Sequence, residues 1–477
     1  MRIFGVVCCL LLWGSGSLSG QSVSVHSQNS EYSGKTIQVG IDRNPFISIP
    51  RYVETVPCSN EGHFEYALEV GTERVIHFET GVYRAYLYVE PGYHYEVDLP
   101  EYREKSYADR ISPFYQPVEI PLRVLSRSSL SHQPDEDQST DINLMIARFD
   151  STFSRANSGV IMNRRLGKSS DMDSIVRTIE EAFCGDSSLF FENYRRYKYG
   201  VLKLNEGITG LESISRNYLG PTVMESHPGF LELFKAMFKD FLFYYSRTPG
   251  GKGLIHHINR THNLDSVRYI IGQHPAVWND TLTDMVLLQE LSGLFYTGEF
   301  HKKAILILLD SMEMNPVSPD YALYTSQVKE KLSSLMTGHP PPPFALPDLE
   351  GNLFTPGDFK GKYVYLMFCT PEHYGCMMEY PFLQSFHLKH ASYLEVVTVM
   401  VAKEESQIKE FMIRNGYGWK AFFYEDQPGI LSDFLVRAFP TAYLIGPDGN
   451  LLLSPSSLPS DGFEQQLFRI MRSRGEI

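Results

Sequence analysis

Four consecutive prolines, Pro340–Pro343, constrain this chain more than any other feature. A proline has no backbone N–H, and its ring clashes with the preceding helical turn, so no helix passes through four of them. The run favours an extended connection. Whatever lies before it must therefore close up before Thr337, and whatever follows must start afresh. We expect a domain boundary there, with an α-helical domain over 141–337 and a separate domain over 338–477.

Upstream of the prolines, apolar residues recur with the helical period. Ile175, Ile179, Ala182 and Phe183 share one face, and Gly185 follows as a stop. Phe230, Phe234, Phe238 and Phe241 predict another helix. "DTLTDMVLLQELSGLFYTG" and "HKKAILILLDSM" predict two helices joined at Gly298, and "SPDYALYTSQVKEKLSSLM" a third. This aromatic stripe reads as core packing, and no cofactor signature accompanies it. Residues 21–125 have a different rhythm. "FEYALEV", "VIHFETG", "YRAYLYVE" and "YHYEVDL" alternate apolar and polar residues in short runs broken by turn residues. They predict a β-rich domain built as a small antiparallel sandwich. The polar stretch Ser126–Thr140 has no periodicity and reads as a linker.

The first twenty residues predict a secretory signal. Arg2 gives the positive start, Ile3–Trp13 form an apolar run too short to span a bilayer, and small residues precede a cleavage point after Ser19 or Gly20. No later stretch is apolar for long enough to cross a membrane. The reading is of an exported protein, in the periplasm or cell envelope or secreted. Four cysteines then remain: Cys58, Cys184, Cys369 and Cys376. In an oxidising compartment they admit three full pairings, and sequence does not choose among them. The net charge of −13 argues against nucleic acid or an anionic membrane surface as the main partner.

After the prolines the order of elements is informative. Tyr363–Phe368 reads as a buried strand, Gly375 to about His390 as a helix, Leu394–Val401 as a strand and Glu404–Asn415 as a helix. Ala421–Tyr424 is a short strand, Pro428–Leu435 a helix, "FPTAYLIGPDGNLLLS" a hairpin turning at Pro447–Gly449, and Ser460–Met471 a closing helix. Within this order "YLMFCTPEHYGCMMEYPF", Tyr365–Phe382, runs from an apolar strand through a short loop into Cys-x-x-Glu-x-Pro at a helix start.

These features carry a resemblance. "PPPFALPDLEGNLFTPGDFKGKYVYLMF", "CMMEYP" and "FPTAYLIGPDG" resemble the TlpA/ResA class of envelope thioredoxin-like proteins. The whole arrangement resembles multidomain members of that class from Gram-negative bacteria. It implies a multidomain fold: an N-terminal all-β sandwich-like domain, a central α-helical segment and a C-terminal α/β thioredoxin-like domain. It also implies that Pro440, preceded by Phe439, is cis and faces the active site. The class's resolving cysteine falls on Cys376. Its attacking cysteine falls on His373, where this sequence departs from the pattern and reads "HYGC", His373–Cys376.

Disulfide exchange needs an exposed thiolate at a helix N-terminus, and an imidazole forms no mixed disulfide. Three readings of the site follow. In the first, the domain is a non-catalytic or specialised module. It binds an envelope protein or peptide in the groove beside Pro440, Phe439, His373 and Tyr374, with Met377 nearby. In the second, it is a thiol-disulfide oxidoreductase using Cys376, with or without Cys369, which lies at the strand end. In the third, Cys369, His373 and Cys376 form a soft ligand set suited to copper(I) or zinc, but no fourth ligand is visible. We assign no metal or cofactor from sequence. The spacing "HYGC" also resembles the Thr-x-x-Cys of peroxiredoxins, but the threonine and the proline that belong with it are missing.

Overall fold

A computed structural model describes residues 21–477 apart from 42–43, 47–51, 107, 110–111, 113–114, 130–140, 184–187, 221 and 425–428. The signal expected over 1–20, most of the expected linker, and Cys184 lie outside the described residues. The chain forms two compact units. One holds 1–103 with 118–237, and the other holds 104–117 with 238–477.

The first unit begins with nine strands: β1 Gln21–Gln28, β2 Thr36–Gly40, β3 Tyr52–Pro57, β4 His63–Val70, β5 Arg74–Thr80, β6 Tyr83–Val89, β7 Tyr93–Asp98, β8 Val118–Pro121 and β9 Arg123–Ser129. They make two sheets, ordered β4-β1-β7-β9 and β3-β2-β5-β6-β8. Val23 and Val25, Phe64 and Tyr66 from the first sheet share one buried core with Ile37, Val39, Ile76 and Phe78 from the second. The sandwich is not purely antiparallel, because β1 runs parallel to β7 and β6 parallel to β8. Ser126–Ser129, expected in a linker, complete β9 by pairing with β7. Their backbone bonds hold them at a sheet edge, where serines need no apolar period.

Helices α1 Ile142–Arg165, α2 Met172–Glu181, α3 Leu189–Glu206 and α4 Pro228–Met237 follow in this unit, with a short helical stretch over Leu211–Leu219 between the last two. Asn143 ties α1 to β6: its amide donates to Tyr88 O at 2.9 Å, and its Oδ1 accepts Tyr88 N–H at 2.8 Å. The phenylalanine run expected as one helix breaks after Met237. Asp240 there has a φ of 57°, and Phe241 opens a separate turn, Phe241–Tyr245.

That break is also where the two units divide, so the helical segment is shared between them. In the second unit α5 Leu264–Gly272, α6 Asp280–Leu294, α7 Lys302–Met314 and α8 Pro319–Ser333 precede the prolines. The proline run does not separate compact units. Gly338 N–H donates to Leu451 O at 2.7 Å, Leu451 N–H donates to His339 O at 2.8 Å, and Phe344 is buried in the C-terminal core. The helix has already ended at Ser333, before the first proline, and the extended chain that follows is fastened down at once.

The C-terminal domain contains β10 Leu346–Pro347, β11 Leu353–Phe354, β12 Tyr363–Cys369, α9 Tyr374–His390, β13 Leu394–Met400, α10 Glu405–Asn415, β14 Lys420–Phe423, β15 Thr441–Ile445, β16 Leu451–Ser456 and α11 Phe463–Ser473. Its five-stranded sheet has the order β14-β13-β12-β15-β16. β12, β13 and β14 are parallel, while β15 and β16 are antiparallel to their neighbours. All seven residues of β12 are buried. Tyr363, Tyr365, Met367 and Cys369 enter one core with residues of α9 and α11, and Val364, Leu366 and Phe368 enter another on the opposite face.

Among the buried acids, Glu290 in α6 accepts the Leu242 N–H at 2.9 Å. Loss of water pushes its carboxyl up to about 7 from an ordinary 4.5. A folded-state value above the unfolded one favours folding at low pH, so the contribution is complete below about 4.5 and is lost as pH rises through 7. Urea unfolding of the wild type and Glu290→Gln at pH 5 and pH 8 is expected to show the variant gaining on the wild type as pH rises. The gain should be on the order of 3 kcal/mol. A difference that does not change with pH would contradict this assignment.

Candidate functional site

The site is assembled where β12 ends and α9 begins. Four residues, Thr370–His373, join them. Tyr380, two turns into the helix, donates its hydroxyl to Thr370 O at 2.8 Å and ties the helix back to the loop. His373 is the N-cap residue, and its side chain makes no capping bond. Its imidazole is exposed at the position that an attacking thiol would occupy. Cys376, one turn on, has no solvent exposure. Its Sγ lies 3.9 Å from His373 Nδ1.

Opposite the helix start stands the loop before β15, in which the Phe439–Pro440 peptide bond is cis. Gly375 records how closely the parts approach. A Cβ built there would lie 3.2 Å from His373 Cε1, 3.3 Å from His373 Nδ1 and 3.4 Å from Pro440 Cδ. The imidazole, the helix start and the proline ring therefore converge around a residue with no side chain. Tyr374 is 71% exposed, Met377 45% and Met378 53%. Phe439 is half-buried and packs against both core clusters.

Both thiols are dry and unpaired. Cys369 and Cys376 are free, and no disulfide joins them. Burial pushes the Cys376 thiol up to about 11; a backbone hydrogen bond with Thr370 pulls the other way, and the charge of Glu379 adds to the rise. Burial, with Cys376 adding to it, holds Cys369 well above the ordinary thiol range. The helix-start position that normally lowers a thiol's pKa is filled by the histidine, and the cysteines sit where desolvation dominates. Among the described residues, Cys369, His373 and Cys376 are not a trio that brings three donor atoms together, so the metal reading of this spacing has no geometric support.

No protein-family model matches the chain. Over 138 residues it is 30% identical to thiol-disulfide oxidoreductase ResA of Bacillus subtilis (strain 168), covering 28% of this chain and 73% of that protein. It is 29% identical over 130 residues to thioredoxin-like protein YneN of the same organism, covering 27% of this chain and 75% of that one. Through this domain, the chain belongs to the ResA/TlpA-type thioredoxin-like proteins. A solved thioredoxin domain of a thiol-disulfide oxidoreductase from Bacteroides vulgatus covers 29% of this chain and 99% of its own, at 24% identity and a TM-score of 0.27. Among the described residues, no helix is long and apolar enough to cross a membrane.

The ResA/TlpA-type domain has site residues that the sequence reading did not single out. Glu379 is buried three residues after Cys376, on the same face of α9. It accepts bonds from Ser460 N–H at 2.9 Å and Ser460 Oγ at 2.6 Å. The glutamate stood in the quoted Cys-x-x-Glu-x-Pro motif, and its i+3 spacing from the cysteine was the available signal. Ser460, 81 residues away, gave none. Thr370 likewise matters through its backbone carbonyl, which residue type does not announce, whereas Gly375 matters because it has no side chain.

Two measurements follow from the buried thiols. At pH 7.5 a thiol titrating near 11 is thiolate in roughly one molecule in 3 × 10³, so iodoacetamide should leave Cys369 and Cys376 unmodified in the native protein and modify both in urea. Peptide mapping without reductant should find both as free thiols. A Cys369–Cys376 disulfide in the oxidised protein would overturn this arrangement.

Proposed function

We propose that the C-terminal domain is a non-covalent binding module for an extended peptide or protein segment, held in a thioredoxin-like frame that has lost dithiol exchange. One observation carries this reading: the exposed position at the start of α9 holds His373, while the two nearby thiols have no exposure. Without an accessible thiolate, covalent capture of a disulfide has no nucleophile. Backbone and apolar contacts remain. Tyr374, Met377 and Met378 present apolar surface in the first turns of α9, and Gly375 among them faces Pro440. An extended segment lying there would be held by main-chain hydrogen bonds and these side chains.

The leader read over residues 1–20 supports export, with the binding partner an envelope or secreted polypeptide. Cell fractionation with N-terminal sequencing of the mature protein tests that part: cytoplasmic protein retaining Met1 would remove it.

A second reading rests on the 3.9 Å approach of Cys376 Sγ to His373 Nδ1. If the helix start opens, the imidazole is placed to take the thiol proton, and Cys376 becomes a single-thiol oxidoreductase centre. Insulin reduction separates the two readings. The wild type should reduce insulin negligibly, and His373→Cys should create measurable activity, because it restores an exposed thiol at the helix N-terminus with Cys376 and Pro440 in place. Reduction by the wild type at ordinary thioredoxin rates, lost on Cys376→Ala, would favour the second reading. The binding module itself is tested with a photoreactive residue at position 374. Cross-links to exported polypeptides that disappear on Met377→Asp in a folded protein are expected. Cross-links confined to the protein's own chain would make the surface an internal interface.

A further inference from the structure

The solvent face of the β4-β1-β7-β9 sheet carries a cluster that the C-terminal site does not use. In β4, Phe64 and Tyr66 point into the core, so the alternation of a strand sends His63 and Glu65 together to the outer face. In β1, Val23 and Val25 enter the core, so the same alternation puts Ser24 and His26 on the outer face, where Ser24 is nonetheless buried and His26 half-buried. The antiparallel register sets His26 opposite Glu65 and Gln28 opposite His63. One donor atom from each of His26, His63 and Glu65 lies within 4.8 Å of the other two. The two imidazole rings are tilted by 34°, with centroids 6.3 Å apart.

A second observation concerns how His26 is held. Its Nε2 is 3.0 Å from Ser24 Oγ, and the same hydroxyl is hydrogen-bonded to Nδ1 of His94 on β7. One hydroxyl carries one proton, so it donates to one ring and accepts from the other. If it donates to His94, His26 must donate its own Nε2–H to Ser24. Nδ1 of His26 is then unprotonated, with its lone pair available. The opposite arrangement protonates Nδ1 and closes it to a cation. A metal on Nδ1 selects the first arrangement, and Ser24 and His94 then fix ring and tautomer as outer-shell partners do. The carboxylate on the other side of His26, Glu96, lies across from it in the β1–β7 register and accepts from Ser126 Oγ at 2.9 Å.

We propose that His26, His63 and Glu65 form a binding site for a divalent transition cation of the zinc or copper(II) class, with Ser24 and His94 as positioning residues. Two imidazoles and a carboxylate suit these borderline ions, whereas calcium and magnesium require oxygen ligands. Bonds of about 2.0–2.1 Å at tetrahedral angles put neighbouring donors roughly 3.4 Å apart. Side-chain rotation alone can close the remaining distance, because the strand ladder fixes the backbones. His63 and Glu65 are exposed, so water can complete the coordination sphere.

The test uses the full-length protein carrying Cys369→Ala and Cys376→Ala as background, stripped with chelator and titrated with zinc in competition with a chromogenic indicator. One equivalent should bind. His26→Ala, His63→Ala and Glu65→Gln should each weaken binding by at least tenfold, and Ser24→Ala or His94→Ala by about tenfold. Copper(II) gives an independent readout: its electron paramagnetic resonance should show coupling to two imidazole nitrogens in the parent and one in His63→Gln. Circular dichroism of each variant establishes that the sandwich is intact. Failure of the parent to bind one equivalent, or unchanged affinity in folded His26→Ala and His63→Ala, would overturn the site. Unchanged affinity in Ser24→Ala and His94→Ala would overturn their positioning role.

Discussion

Burial of β12 on both faces is the constraint on which the C-terminal domain depends. Tyr363, Tyr365, Met367 and Cys369 project into the core beneath α9 and α11, while Val364, Leu366 and Phe368 project into the opposite one. Each large side chain buried in this way contributes about 2 kcal/mol. The period-two alternation of the strand decides which side chain joins which core, so a one-residue slip would exchange the two sets. Cys369 therefore has no freedom to face outward. It sits in the core that receives Cys376 from α9, and both thiols give up water to the packing that makes the sheet. The same contacts that build the fold remove the conditions under which a thiol reacts.

Much of this domain was legible because its signals are local. The apolar run Tyr363–Phe368, the helix start after it and the hairpin around Pro447–Gly449 each announce themselves within a few residues, and their order carries the fold. The departure at His373 was legible for the same reason. Distant partners were not. Nothing near Glu379 in sequence points to Ser460, and nothing in a proline run indicates that Gly338 and His339 will pair with Leu451. Composition also misled at the sheet edge. Ser126–Ser129 look like linker because their side chains are polar, yet their backbones complete the ladder with β7. The phenylalanines at 230, 234, 238 and 241 keep helical spacing across a break at Phe238–Asp240, because each is buried for its own packing and burial does not require that they share one helix.

The two surfaces singled out here differ in how they are specified. At the start of α9, reactivity is set by exclusion of water: the exposed position lacks a thiol, and the positions that have thiols lack exposure. On the sandwich, the arrangement is set by strand register. His26, His63 and Glu65 meet because the β1–β4 ladder fixes their backbones, and Ser24 lies between two rings, donating its single proton to one and accepting from the other. The first depends on packing depth, and the second on a hydrogen-bond count that residue spacing alone does not reveal.

Gly375 has a consequence for how this site can change. A methyl group there would press on the His373 ring and on Pro440 Cδ at 3.2–3.4 Å. In an open Cys-x-x-Cys loop, the two middle residues are the natural place to retune a redox centre. Here one of those two places is occupied by empty space that the neighbouring rings require. Substitution at 374 projects into solvent and is sterically cheap, whereas substitution at 375 moves the imidazole or the proline loop first. The variation this loop can explore is thus weighted toward one position: residue 374 changes freely, whereas any side chain at 375 first displaces the exposed imidazole or the proline ring by a few tenths of an ångström.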